Sequence, residues 1–151
     1  MEIRAAKSDA DWAAVQDVRR RVFIEEQGVL EADEWDAHDA PTARSRTVHH
    51  LLAVLEGEPV GAARWRAVSL EGEPWAKLER FAVVPSARGA GVGRALVARA
   101  LEDARAAGHL RFVLHAQTYV AGLYAAFGFE AEGEAFLEDG LEHVKMTLTE
   151  A

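Results

Sequence analysis

Apolar positions recur at helical spacing near the start of the chain: Trp12, Val15, Val18 and Val22 fall three and four residues apart, behind the capping run Ser8-Asp9-Ala10-Asp11. This predicts a first helix that ends near Gly28. From Val29 to Thr47 the periodicity lapses, the segment EADEWDAHD is acidic and Pro41 follows, so a surface loop of about twenty residues is expected. His50–Leu55 and Val60–Val68 are apolar runs separated by Glu56-Gly57-Glu58-Pro59, the pattern of an antiparallel hairpin. Lys77–Val84 reads as a strand, Pro85–Gly91 as a turn, and Gly93, Leu96, Val97, Ala100, Leu101 and Ala104 as the buried stripe of a helix. Arg111–Ala116 then forms a short apolar strand. Strand, Gly-rich turn, helix and strand make a βαβ unit, whose strands should be parallel with a right-handed crossover. Thr118 is placed to cap a last helix carrying Val120, Leu123, Tyr124 and Phe127, with Gly128 as its stop. Phe129–Thr149 reads as two strands around Glu138-Asp139-Gly140. The pattern as a whole is mixed α/β, with residues 1–151 as a single domain.

Length agrees with that organisation, since 151 residues suit one compact unit and half of them are hydrophobic. Disorder is excluded. The formal charge of −8 and a pI near 5.2 leave no basic footprint for a phosphate backbone, so nucleic acid is not an expected partner. With no cysteine there is no disulfide framework, no thiolate zinc site and no cysteine nucleophile. Acids within the first dozen residues, and the lack of any long uncharged apolar run, point to a soluble cytoplasmic chain with no membrane partner.

The strongest chemical signal is Arg88-Gly89-Ala90-Gly91-Val92-Gly93-Arg94 between a strand and a helix. Glycines allow a sharp turn and a close ligand approach, and the free N–H groups of a helix's first turn suit a phosphate, with Arg88 and Arg94 adding charge. No G-K-[ST] ends the string and it is not G-x-G-x-x-G, which disfavours ATP and NAD. The competing reading is a tight turn whose glycines serve helix packing alone. Tyr124 lies on an apolar stripe, where a core aromatic is the default and a proton donor to a leaving thiolate the alternative. Glu79 alternates with Phe81 and Val83 on one strand face, either as a base acting on an ammonium substrate or as half of an ion pair with an Arg. His49 and His50 are adjacent, no HExxH occurs, and no metal is assigned. His115, on a buried strand, reads as a hydrogen-bonded core residue. Glu25, Glu34, Asp36 and Asp39 are candidate contacts for a cationic substrate, against the default of a solvated acidic run.

Three segments in this order, LERFAVVPSA, RGAGVGRALVARAL and VLHAQTYVAGLYAAFGF, resemble the GNAT superfamily of acyl-CoA-dependent N-acetyltransferases. Arg88, Gly91 and Gly93 meet its [QR]-x-x-G-x-[GA] motif, and Tyr124, Gly128 and Phe129 meet Y-x-x-x-G-F. RRRVFIEEQGV, EWDAHD, Ala116-Gln117 and GEAFLEDGLEHVKM look like its ElaA-type branch. The resemblance implies a mixed sheet whose central parallel strands, Leu78–Val84 and Phe112–Gln117, splay apart around acetyl-CoA. It further implies pantetheine pairing to the backbone of Phe81, Ala82, Val83 and Val84, and pyrophosphate held by the amides of Arg88, Gly89, Ala90, Gly91, Val92, Gly93 and Arg94. Gln117 stands where many members carry an Asn that contacts cofactor or water. The implied reaction is direct attack of a primary amine on the thioester, with Tyr124 protonating the thiolate and Glu79 in a strand that often carries the base. An acyl-CoA-binding module without turnover is the alternative. The spacing of Glu34, Asp36 and Asp39 also looks like acyl-homoserine-lactone synthases, a lower-ranked reading. Exposed sheet edges and four tryptophans, Trp12, Trp35, Trp65 and Trp75, are compatible with a homodimer.

Overall fold

A computed structural model describes residues 1–44 and 46–151. Seven strands form one sheet in the order β1-β2-β3-β4-β5-β7-β6. They are β1 (Glu2–Ala5), β2 (Val48–Leu55), β3 (Glu58–Leu70), β4 (Glu73–Val83), β5 (Arg111–Gln117), β6 (Glu130–Glu138) and β7 (Leu141–Thr149). All neighbours are antiparallel except β4 and β5, the two strands of the expected βαβ unit. Three two-residue turns, Glu56-Gly57, Glu71-Gly72 and Asp139-Gly140, close the hairpins with φ positive at both positions, the geometry that follows strand twist. The middle one joins β3 to β4. Residues Ser69–Leu70 and Glu73–Ala76 extend β3 and β4 although the polar run EGEP interrupts the alternation, because the turn brings the two strands into register.

Among the described residues the α-helices are α1 (Asp9–Arg19), α2 (Glu31–Glu34), α3 (Val92–Ala106) and α4 (Ala121–Ala125). The side chain of Ser8 caps α1 by accepting from the Asp11 amide at 3.0 Å. Past Arg19 the helix continues in the wider π form from Arg20 to Glu26, so the helical stretch reaches almost to the expected Gly28. The α3 stripe is buried as expected, with Leu96, Val97, Ala100 and Ala104 at zero exposure. Helices α1 and α3 take opposite faces of the sheet. On β3, Trp65 packs edge-on to His109 just beyond α3, while its neighbour Arg64 reaches Asp39 beneath α1. Apolar side chains on both faces join one core. Thr118 does not cap α4: a 3-10 turn, Thr118–Val120, intervenes, and the Thr118 hydroxyl donates to Glu142 instead.

The segment expected as a solvated loop is the largest departure. Within Val29–Thr47, α2 and a 3-10 turn at Ala37–Asp39 carry Glu34 and Asp39 into the interior. Arg19, 1 % exposed, donates to Glu34 Oε1 at 2.8 Å and to both oxygens of Asp39 at 2.7 and 3.1 Å. Arg64, equally buried, donates to both oxygens of Asp36, to Asp39 and to Glu79 at 2.8–3.0 Å. The acids are drawn in because buried arginines need paired carboxylates.

Of the four tryptophans, Trp65 is buried, Arg44 lies over the Trp12 ring and Arg19 over the Trp35 ring, and Trp75 is half-buried. The outer strand β6 carries Glu130, Glu132, Glu134 and Glu138, charges that discourage edge pairing. Among the described residues no helix is long and apolar enough to cross a membrane.

Candidate active site

Strands β4 and β5 pair only at Ala76–Phe112 and Lys77–Val113, then diverge. Beyond that point no strand among the described residues pairs with the edge of β4 that faces β5, and a cleft of about 510 Å³ opens there. That volume lies within the usual range for a small-molecule site, about 300–1,000 Å³.

A bulge shapes one wall. Glu79 opposes Arg64 and Ala82 opposes Ala62, so Arg80 and Phe81 together face the single residue Ala63. Arg80 adopts φ 58°, which accommodates the extra residue and breaks the expected alternation. Glu79 therefore shares a face with Ala82 and not with Phe81.

The Gly-rich turn forms one end of the cleft. Gly89 and Gly91 take φ of 85° and 82°, and a Cβ on either would meet nothing within 4 Å. These glycines serve backbone conformation, not helix packing, which removes the packing-only reading for them. Gly91 caps α3 with its carbonyl bonded to the Ala95 amide, leaving the first-turn amides of Val92, Gly93 and Arg94 without helical acceptors. Gly89, Gly91, Val92, Gly93 and the exposed Arg94 line the cleft, as do Phe81, Ala82, Val83 and Gln117. Ala90 does not line it. Nor does Val84, whose side chain is buried and whose amide donates to the Val60 carbonyl at 2.9 Å. Arg88 lines the cleft but its guanidinium is occupied, donating to both carboxylate oxygens of Glu26 and, at 3.0 Å, to the Val83 carbonyl. A second bridge crosses nearby, where Gln117 donates to Gln27 at 3.0 Å.

Tyr124 enters from α4, edge-on to Phe81 and Phe129 at 5.7 and 6.3 Å. It is buried yet lines the cleft. Burial pushes its pKa above the ordinary tyrosine value, so the hydroxyl is a protonated donor at neutral pH. Outright transfer from such a phenol to a free thiolate is uphill, because a thiol's pKa is near 8.5. Its capacity is to donate a hydrogen bond to a developing thiolate and to relay a proton that is replaced from elsewhere.

The acidic positions separate. Glu79 and Glu34 line the cleft, whereas Asp36 and Asp39 are committed to Arg19 and Arg64, and Glu25 is exposed outside it. Burial alone would push the Glu79 carboxyl up, but Arg64 and Arg66, donating at 3.0 and 2.6 Å, hold it below the usual range. A carboxylate so engaged has little affinity for a further proton. Burial raises Glu34 despite Arg19 beside it, and Asp39 is depressed to about 2 because Arg19 and Arg64 outweigh burial.

The polar end of the cleft holds Lys77, Glu138 and His143, which carried no functional expectation from sequence, and His115, expected there as a hydrogen-bonded core residue. His115 is not a core residue. It stands two positions before Gln117 and hence on the same strand face, a signal available from period-two alternation alone.

The profile of the acetyltransferase (GNAT) domain family matches residues 24–150. The Bacillus subtilis N-acetyltransferase YjcF is 36% identical over 149 residues, covering 97% of this chain and 98% of its own. Escherichia coli ElaA superposes with TM-score 0.81 at 27% identity, over 98% of this chain and 99% of that one. A GNAT acetyltransferase from Brucella melitensis, solved with acetyl-CoA, gives 0.74 at 24% identity, covering 98% and 86%. Family match, relatives and splayed sheet agree: the chain belongs to the GNAT family of acyl-CoA-dependent N-acetyltransferases.

Proposed function

We propose that the chain transfers an acetyl group from acetyl-CoA to a primary amine by direct attack within a ternary complex. The observation that carries this reading is the unpaired β4 edge beyond Lys77, which leads to the free amides of α3 at one end and to titratable side chains at the other. Pantetheine would pair along Phe81, Ala82 and Val83, with its pyrophosphate at the turn Gly89–Arg94. For Arg88 to reach a phosphate it must leave Glu26, so cofactor binding would exchange that ion pair for one with the ligand. The cleft's shape and apolar floor favour turnover through proximity, since holding amine and thioester together removes a large entropic cost. Tyr124 would donate to sulfur as the C–S bond breaks.

Calorimetric titration tests the cleft: acetyl-CoA and desulfo-CoA are expected to bind at micromolar levels and ATP far more weakly. Tyr124→Phe should keep acetyl-CoA affinity while turnover falls at least about tenfold, or about 1.4 kcal/mol of transition-state stabilisation. Unchanged turnover would remove Tyr124 from the reaction. Binding without thiol release toward any amine would favour the non-catalytic module.

A further inference from the structure

The polar end of the cleft contains an imidazole whose orientation is set by its neighbours. His115, on β5, is 29 % exposed, and its Nδ1 lies 3.1 Å from Oε1 of Glu138, the last residue of β6. An ionised carboxylate only accepts, so Nδ1 carries a hydrogen, and in the neutral ring the lone pair lies on Nε2. Phe136 packs edge-on to the His115 ring at 5.1 Å and stacks on His143 at 6.1 Å. His143 in turn donates from Nδ1 to the Leu141 carbonyl at 2.8 Å, with Nε2 3.7 Å from the other oxygen of Glu138. The hydrogen bond from His115 lowers the Glu138 pKa more than burial raises it, with His143 and Lys77 acting in the same direction. Glu138 therefore stays ionised and holds the ring. Glu79 lacks this freedom, because Arg64 and Arg66 already engage it.

We propose that His115 is the general base of the transfer, its Nε2 removing a proton from the acceptor ammonium, and that Glu138 is a positioning residue that fixes its tautomer. This rests on the reading of the cleft as a site of amine acetylation. One proton of R–NH₃⁺ passes to Nε2, and the freed nitrogen lone pair forms the C–N bond to the thioester carbonyl. The C–S bond then breaks. The tetrahedral nitrogen sheds a second proton, which balances the one delivered to sulfur to give the CoA thiol. The imidazolium returns its proton to water. The charged and titratable groups around the ring are Glu138 on β6, His143 and the register partner Lys145 on β7, Asp139 in the turn between them, and Lys77 on β4.

The test compares two acceptors with acetyl-CoA as donor: benzylamine, an ammonium ion at pH 7, and methoxyamine, largely unprotonated there. His115→Ala should lower kcat/KM for benzylamine about a hundredfold at pH 7 and leave methoxyamine within about threefold, with the KM for acetyl-CoA unchanged. The benzylamine deficit should shrink as pH rises toward the amine's own pKa. Glu138→Gln should show the same selectivity at about tenfold. Equal losses on both acceptors would mark His115 as merely structural and overturn the proposal. Imidazole ¹⁵N spectra supply a readout that needs no acceptor. The Nδ1–H tautomer of His115 is expected in the parent protein and a mixture in Glu138→Gln, whereas an Nε2–H tautomer in the parent would overturn the base role alone. If the parent binds acetyl-CoA but releases no thiol toward any amine, these two included, the amine-transfer reading itself falls.

Discussion

Asp39→Ala is expected to cost the folded state about 3–5 kcal/mol, the usual penalty for removing one partner from a buried ionic cluster. Asp39 accepts from Nη1 and Nη2 of Arg19, from Nη1 of Arg64 and, through Oδ2, from the Asp36 amide. Both arginine side chains are 1 % exposed, so water cannot replace the lost acceptor. Glu34, Asp36, Asp39 and Glu79 face Arg19, Arg64, Arg66, Arg80 and Lys77, four carboxylates against five cations, and the substitution removes an acid from a cluster already short of one. For a domain whose total stability is typically about 5–15 kcal/mol, that is a large fraction. Glu73→Ala is the control: its partner Arg111 is 41% exposed, and such surface pairs contribute about 0–1 kcal/mol. Urea unfolding at pH 7 measures both. A loss below about 1 kcal/mol for Asp39→Ala, comparable with the control, would show that the cluster is dispensable for stability.

That cluster also marks where sequence patterning stopped being informative. EADEWDAHD has the composition of a solvated run, and nothing local distinguishes it from one that is drawn inside. Its burial is decided by Arg19 on α1 and Arg64 on β3, residues 15 and 28 positions away from the acids they hold. Long-range charge matching has no periodicity to read. Elements whose cause is local were legible: the α3 stripe, the Asp139-Gly140 hairpin, and the strand, glycine turn and helix that build the Gly-rich end of the cleft. The short edge strand β1 was not, because four residues reading E-I-R-A give alternation too little length.

The site divides in the same way. The Gly-rich turn and Tyr124 were visible as motifs, since backbone conformation and helical spacing are written in contiguous residues. The polar end is assembled from β4, β5 and the β6–β7 hairpin, so Lys77, His115, Glu138 and His143 meet only once the sheet order is known. The β4 bulge had a comparable effect. One extra residue at Arg80 changes which side chains Glu79 accompanies, and places it against Arg64 in the ionic cluster.

Stability should fall as the pH drops from 6.5 toward 4, and His50 should account for it. This side chain, on β2 and 1 % exposed, packs against Trp12, and neither ring nitrogen has a hydrogen-bond partner in the described protein. Burial first, and then the Arg19 guanidinium, depress its pKa from 6.5 to about 4, with Asp39 at 3.9 Å compensating only in part. Between those two values the unfolded chain takes up a proton that the folded chain refuses, so acid favours unfolding. From pH 7 to pH 5 the expected loss is about 2 kcal/mol, at about 1.36 kcal/mol per pH unit below 6.5. Asp39 acts in a separate window, because its depressed pKa contributes stability that is lost only as pH falls below 3.8 toward 2. Glu34, raised by burial, works in the opposite sense, and His49, lowered by burial, in the same sense as His50. Both remain present in His50→Leu, so the difference between parent and variant isolates His50. The variant removes two unpartnered ring nitrogens from the interior and should fold at pH 7 with stability within about 1.5 kcal/mol of the parent. Between pH 7 and pH 5 the urea midpoint is expected to fall further for the parent than for His50→Leu, by the equivalent of about 2 kcal/mol. Equal slopes in the two proteins would show that His50 is protonated in the folded state at pH 5, and that the ionic cluster beneath α1 tolerates a further cation.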